Sequence, residues 1–126
     1  MNKNTLAFIS NALKAEQIPY CLGQWSKVIS YPYFVGEYID SEPVSESGES
    51  QGVFILTGFG LSDRLSLERI KERIERLFPV YGKTRIFEDN SAAAVMFMSA
   101  AFLPVESDEI KKIEIKLRFK EWRVNI

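Results

Sequence analysis

The strongest structural signal in this chain is an alternation of apolar and charged residues near its carboxyl end. From position 113 to 120 every odd position is Ile, Leu or Phe and every even position is Glu, Lys or Arg. Successive side chains of a strand point to opposite faces of the sheet, so this segment predicts a strand with one buried face and one wet face. Other parts of the chain must then cover the buried face.

Two segments have the period of helices that cover a sheet. The first is predicted over 5–17, with Asn4 or Thr5 as its cap and Pro19 beyond its end. The second has a single apolar stripe with charged residues around it and ends at Pro79. Its stripe consists of Leu67, Ile70, Ile74, Leu77 and Phe78. Asp63 and Ser66 are its candidate caps.

Further strands are predicted over 31–39 and 52–59, which are rich in aromatic and β-branched residues and join as a hairpin ended by Gly58 and Gly60. Segment 92–102 fits either a helix, because it contains Ala and Met, or a strand buried on both faces. We predict a strand. Weaker signals suggest short strands within 20–30 and over 84–87. After position 120 the alternation slips by one residue, which predicts a bulge near Lys120 and Glu121.

These elements predict one α+β domain spanning residues 1–126, in the order α-β-β-α-β-β. Its sheet is expected to have four to five strands, antiparallel or mixed, with both helices on one face. A chain of 126 residues is long enough to bury a core of its own. No segment approaches the length of a membrane span, and no secretory core is visible near the start, so a soluble protein is expected.

The residue types argue against catalysis. The chain has no His, and its single Cys, Cys21, is expected to be a buried, inert thiol in a protein of a reducing compartment. Gly58 and Gly60 lie between a strand and a helix but lack the further glycine and the lysine of a phosphate-binding loop. We therefore expect no enzyme activity, no cofactor and no metal site.

Charge is unevenly distributed along the chain. From Val28 to Asp63 there are six acidic residues and no Lys or Arg. The predicted hairpin loop, 40–51, is long for a small domain and is expected to serve an interaction or to line a channel, although a solvated polar filler fits it nearly as well. Its candidate residues are Asp40, Glu42, Glu46 and Glu49.

A row of basic residues on the last strand is the candidate complementary surface. Lys116, Arg118 and Lys120 alternate along the strand and should project from one face, where an ordinary solvated face is the simplest interpretation. Phosphates or an acidic protein surface are the alternatives.

Four sequence blocks and the acidic loop, in a fixed order, resemble small proteins of the head-to-tail and tail modules of long-tailed bacteriophages and prophages. The blocks are YPYFVGEY at 31–38, GVFILTGFG at 52–60, LERIKERIERLFP at 67–79 and KEWRV at 120–124, and the acidic loop lies between the first two. Within that group the order of elements is similar to the tail terminator or tail-completion family, and head-tail joining proteins have related folds.

The resemblance implies a structural protein that forms a homo-oligomeric ring, typically a hexamer, on the tail tube and docks the head connector. DNA would pass through the lumen only as cargo, and no membrane would be involved. The protein would reside in the host bacterial cytoplasm during assembly and then in the virion tail. Two other classes stay open: a nucleic-acid-binding module using the basic row with Trp122, and a small enzyme using carboxylates.

Overall fold

The computed structural model describes residues 1–42 and 48–123, except for the side chain of Glu42. It is an α+β structure with the following elements in chain order: α1 (Lys3–Ala15), β1 (Tyr20–Leu22), β2 (Tyr33–Glu42), β3 (Glu49–Leu61), α2 (Leu65–Leu77), β4 (Lys83–Ile86), β5 (Ala92–Leu103) and β6 (Ile110–Trp122). None of the described helices has the length and apolarity needed to cross a membrane.

The sheet is mixed and has six strands in the order β1-β2-β3-β6-β5-β4. β1 pairs with β2 in parallel, and every other pair is antiparallel. The expected count of four to five strands, and the expected order of elements, are therefore wrong in detail. The additional strands, β1 and β4, are three and four residues long and lie at the two edges. Strands this short cannot display the periodicity by which longer ones are recognised.

The β2–β3 hairpin is longer than the sequence pattern indicated. Gly58 and Gly60 do not end β3, because the strand continues to Leu61 with both glycines facing the helices. A Cβ at Gly58 would overlap the ring of Phe34, and one at Gly60 would press against Leu67. These glycines make room for neighbouring side chains within a sheet.

Segment 92–102 is a strand, as predicted, but it is not buried on both faces, because Met98, Ser99 and Ala101 are exposed. Its pairing with β6 contains a bulge. The bulge lies between Phe97 and Ser99. The bulge expected near Lys120 and Glu121 is wrong, since β6 keeps its register there. Glu121 simply occupies a helix-facing position that an apolar residue would usually fill.

At the start of each helix, a side-chain oxygen accepts a hydrogen bond from a backbone N–H of the first turn. The α1 cap is Asn2, whose side chain accepts a hydrogen bond from the backbone N–H of Thr5 at 2.9 Å, so the helix starts slightly earlier than Asn4 or Thr5 as cap would place it. At α2 the cap position is Arg64, whose side chain makes no capping hydrogen bond. The predicted candidate Asp63, one residue earlier, accepts a hydrogen bond from the backbone N–H of Ser66 at 3.0 Å, and the other candidate, Ser66, lies within the helix.

Both helices pack on one face of the sheet and create a single core there. α1 contributes Phe8, Ile9 and Leu13, and α2 contributes Leu67, Ile70 and Ile74. Beneath them lie Phe34, Phe54, Leu56, Ile113, Ile115, Leu117 and Phe119. We call this side the helix face. No described helix packs on the opposite side, which we call the open face.

Candidate docking surfaces

The basic row lies in the middle of the open face. Lys116, Arg118 and Lys120 alternate with the buried Leu117 and Phe119 of β6, so the three cations share one face as the alternation indicated. β6 is a central strand, with β3 on one side and β5 on the other. The row therefore has a paired strand on each side.

Most of the row is free to meet a partner. Lys116 forms an ion pair with Glu114 on the same strand, at 3.6 Å. Arg118 is exposed, and neither it nor Lys120 forms an ion pair with another described residue. Across β3 the row faces Ile55, Val53 and Gln51. The surface is thus cationic with an apolar flank, a combination that suits an acidic protein surface.

Aromatic rings occupy the other end of the open face. The ring centroids of Tyr33 and Phe59, on β2 and β3, lie 5.0 Å apart, and Trp25 lies 4.9 Å from Tyr33. Lys112 of β6 places its ammonium 5.8 Å from the Phe59 ring centroid. Burial raises the pKa of the Tyr33 hydroxyl, and the neighbouring Tyr31 adds to that effect. This cluster orders the segment that leads into β2.

The acidic candidates are not brought together on one face. Asp40 is on the helix face of β2, where its Oδ1 accepts a 2.5 Å hydrogen bond from the Met1 ammonium group. Glu49 opens β3 on the open face, opposite Trp122. Glu42 is placed only by its backbone, as the last residue of β2, and Glu46 lies outside the described residues.

The sequence pattern did not identify the role of Glu121. This side chain is 1% exposed, and its Oε2 accepts hydrogen bonds from the backbone N–H of Asn2 at 2.8 Å and from the Thr5 hydroxyl at 2.5 Å. The carboxylate ties the start of α1 to β6. The only signal in the sequence was the break in the alternation, which we had interpreted as a bulge.

Cys21 is half-buried, so the expectation of a buried thiol is wrong. Its Sγ lies 3.8 Å from the Ser26 hydroxyl, and a backbone hydrogen bond from Ser26 lowers the pKa of the thiol. It lies at the exposed edge of the sheet because β1 is the last strand there. Within the described ranges, no group of three or more Cys, Asp or Glu side chains is arranged to hold a metal ion.

Comparison with known proteins yields similarity of fold. No protein-family model matches the chain, and no curated protein matches it. Among solved structures, one whose name states no activity superposes with a TM-score of 0.61 at 14% sequence identity. The alignment covers 96% of this chain and 98% of that one. The whole architecture therefore recurs in a protein of nearly the same extent.

Proposed function

We propose that this chain is a structural subunit of a phage tail, a tail terminator or head-tail joining protein that assembles into a ring and caps the tail tube. The observation that carries the proposal is the open face. A central strand presents Lys116, Arg118 and Lys120 there, and no described helix covers them. A subunit that docks needs such an uncovered and charged surface.

Charge complementarity favours identical subunits that meet through two different surfaces. The stretch from Val28 to Asp63 carries only acidic charges, whereas the basic row lies on β6. A heterologous interface pairs two unlike patches and closes into a ring when the rotation between copies allows it. If the acidic stretch of one copy meets the basic row of the next, the assembly should weaken as salt rises from about 0.1 to about 1 M, because screening shortens the range of charge interactions.

Acidic residues of the hairpin also suit a channel through which DNA must move. Phosphate contacts would retain the DNA, so a lumen free of cations lets it pass. Of the candidates, Glu49 lies at the hairpin end of β3, and Asp40 lies on the neighbouring strand β2. Both residues are at the end of the hairpin, the part of the subunit that would extend into a lumen or towards a neighbouring ring.

Loss of the gene in its phage tests the function directly. We expect electron micrographs of the deletion to show full heads separated from tails, or tails of uncontrolled length, and we expect the wild-type gene to restore joined particles. Normal infectious particles from the deletion would rule out the proposal.

A charge-reversed triple variant tests the surface. Replacement of Lys116, Arg118 and Lys120 by Glu should leave the fold intact but fail to restore joined particles. The matched control reverses three exposed cations on the helices, Lys3, Lys14 and Arg76, which changes the net charge equally. If both variants restore joining equally well, the basic row has no docking role.

A nucleic-acid-binding module is the second candidate, and one observation favours it. Trp122 lies on the open face of β6, in line with the basic row, and a cation row with an aromatic ring suits a single strand. Gel-shift titration with single-stranded DNA at low salt distinguishes the two functions. Tight binding that the triple Glu variant abolishes would favour this candidate over the ring.

A further inference from the structure

We infer that copies of this chain join by strand addition, with the free half of β2 in one copy pairing antiparallel with the free half of β5 in the next. This inference deepens the proposed ring by naming the contact that would build it. It depends on two unpaired stretches at opposite edges of the same sheet. Both are visible in the strand pairing.

The first stretch is on β2. β1 pairs with β2 only from Phe34 to Gly36, so beyond Gly36 no other strand among the described residues pairs with β2 on that side. The N–H of Phe34 and the C=O of Gly36 both point towards β1, as their hydrogen bonds to Pro19 and Gly23 show. Backbone groups alternate sides along a strand, so those of Tyr38 and Asp40 point outward in the same direction.

The second stretch is on β5. β4 pairs with β5 only from Ala92 to Val95. The N–H of Phe97 also points away from β6, because it bonds to the C=O of Phe78 at 3.1 Å. The bulge after Phe97 shifts the alternation by one residue, so beyond it the outward groups belong to Ala100 and Phe102.

Both stretches lack two of the residues that commonly protect an edge strand. Lys and Pro are absent from 37–41 and from 98–103, although β2 carries Glu37 and Asp40 there and the free half of β5 begins at a bulge. Large apolar side chains are exposed on both: Ile39 is 59% exposed, Tyr38 is 41% exposed and Met98 is 46% exposed. Exposed strand edges that carry such apolar side chains are sites where another chain can pair.

Strand directions identify the occupant as a second copy. Across the sheet β2, β3, β6 and β5 alternate in direction, so β2 and β5 run oppositely. A neighbour placed beside the first copy in the same orientation therefore presents its β2 antiparallel to this β5. The two stretches also match in length, and they form one heterologous contact that repeats from copy to copy.

The outward groups set the register. Tyr38 of one copy lies opposite Phe102 of the next, and Asp40 opposite Ala100, because these are the residues whose N–H and C=O groups face each other. Ile39 then lies opposite Ala101 on the open face. On the open face, Glu37 of the incoming β2 lies opposite Leu103 and comes level with Lys112, which is two strands away at about 10 Å. The strand pairing therefore includes one charge-complementary contact.

This register displaces each copy along the strand direction relative to the next, and a closed ring accommodates that displacement by tilting its strands. Within one copy, Tyr38 pairs with Phe54, Phe54 with Leu117 and Leu117 with Phe97, so Tyr38 and Phe97 lie at the same level of the sheet. Between copies Tyr38 lies opposite Phe102 instead, which is further along β5 and beyond its bulge. The neighbour is therefore displaced along the strands by about four residues, or about 13 Å. Four strands span about 19 Å across the sheet. The strands then tilt by about 35°, which lies within the range of closed β-barrels.

Disulfide trapping tests the contact. In a Cys21→Ser background, the double variant Ile39→Cys and Ala101→Cys should form a ladder of linked copies on mild oxidation at high protein concentration. The matched control is Ile39→Cys with Ala100→Cys, whose second thiol lies on the helix face. We expect about tenfold more linked oligomers from the first pair than from the control, because only the first pair meets disulfide geometry.

A second pair in the same register, Glu37→Cys with Leu103→Cys, keeps the test decisive if one double variant folds poorly. Tyr38→Pro adds a backbone test, since it removes an outward donor, whereas Tyr38→Ala keeps that donor. The proline variant should lower the yield of trapped oligomers, and the alanine variant should lower it less.

Equal trapping by test and control pairs, or no ladder from either test pair in folded protein, overturns the strand contact. Those outcomes leave the tail function to be judged by the gene deletion. Conversely, a ladder combined with normal particles from the deletion would keep the strand contact and reject the tail function.

Discussion

The two faces of β6 contain alternating residues of one strand, yet they differ in almost every physical property. On the helix face, Leu117 and Phe119 are completely buried beneath the helices. On the open face, the intervening Arg118 and Lys120 make no ion pair with another described residue. The difference teaches that the pleat of a single strand separates the buried side chains that stabilise the fold from the exposed charges. Substitutions on the two faces should therefore act on different measurements.

Truncation of the buried face gives the largest expected effect. Leu117→Ala should lower the free energy of unfolding by about 3 kcal/mol, because it removes buried methyl groups and leaves a cavity. The neighbouring Arg118→Ala should change it by less than about 0.5 kcal/mol. Urea denaturation measures both. Similar losses in the two variants would break the contrast between the faces.

Glu121 tests whether a charge on the helix face behaves as part of the core. Glu121→Ala leaves the N–H of Asn2 without its acceptor and leaves the Thr5 hydroxyl only Asn2 Oδ1, at 3.0 Å, and it should destabilise the fold by about 2 kcal/mol. Glu121→Gln keeps an acceptor and should lose less. Lys120→Ala on the open face is the control, and a cost equal to that of Glu121→Ala would contradict the assignment.

Gly58 tests how closely the helix face is packed. Gly58→Ala places a methyl group against the Phe34 ring and should destabilise the protein by about 1 to 2 kcal/mol through overpacking. Thr57→Ala, next to it on the open face, is the control and should be close to neutral in thermal unfolding. A neutral Gly58→Ala would show that the Phe34 ring moves aside freely.

The smallest effect is expected at Asp89, in the turn before β5. Hydrogen bonds from the Ser91 hydroxyl, and then from its backbone N–H, lower the pKa of the Asp89 carboxyl. A lowered pKa means that this contribution to stability is present above the ordinary pKa of Asp, near 4, and is lost as pH falls through the folded-state value. Asp89→Asn should therefore reduce the loss of stability in that acidic range, measured by denaturation at a series of pH values. An unchanged pH profile would show that the turn does not depend on the carboxylate.

Much of the fold could be predicted from the sequence because its long elements repeat their patterns many times. The alternation along β6 and the stripe on α2 each include enough residues to identify the element and its buried side. β1 and β4 were indicated only by weak signals within 20–30 and over 84–87, because strands of three and four residues carry too little pattern. Gly58 was misread since its reason, the Phe34 ring, lies on another strand.

The candidate surfaces were predictable to different degrees. The alternation placed Lys116, Arg118 and Lys120 on one face, because direction within a strand is a local property. The acidic candidates were expected to act together, yet Asp40 and Glu49 lie on opposite faces of the hairpin. The structure also supplied Glu121, whose partners are more than 100 residues away in the chain.

By itself the sequence determined the fold class, the two helices and the side on which β6 is buried, since those follow from local periodicity. Tertiary structure alone decided three features. β1 and β4 pair with only part of β2 and β5, the remaining parts of β2 and β5 keep free edges, and the Glu121 carboxylate lies within the core. Those features depend on which strands become neighbours and where their pairing ends, and both are set by contacts between distant parts of the chain.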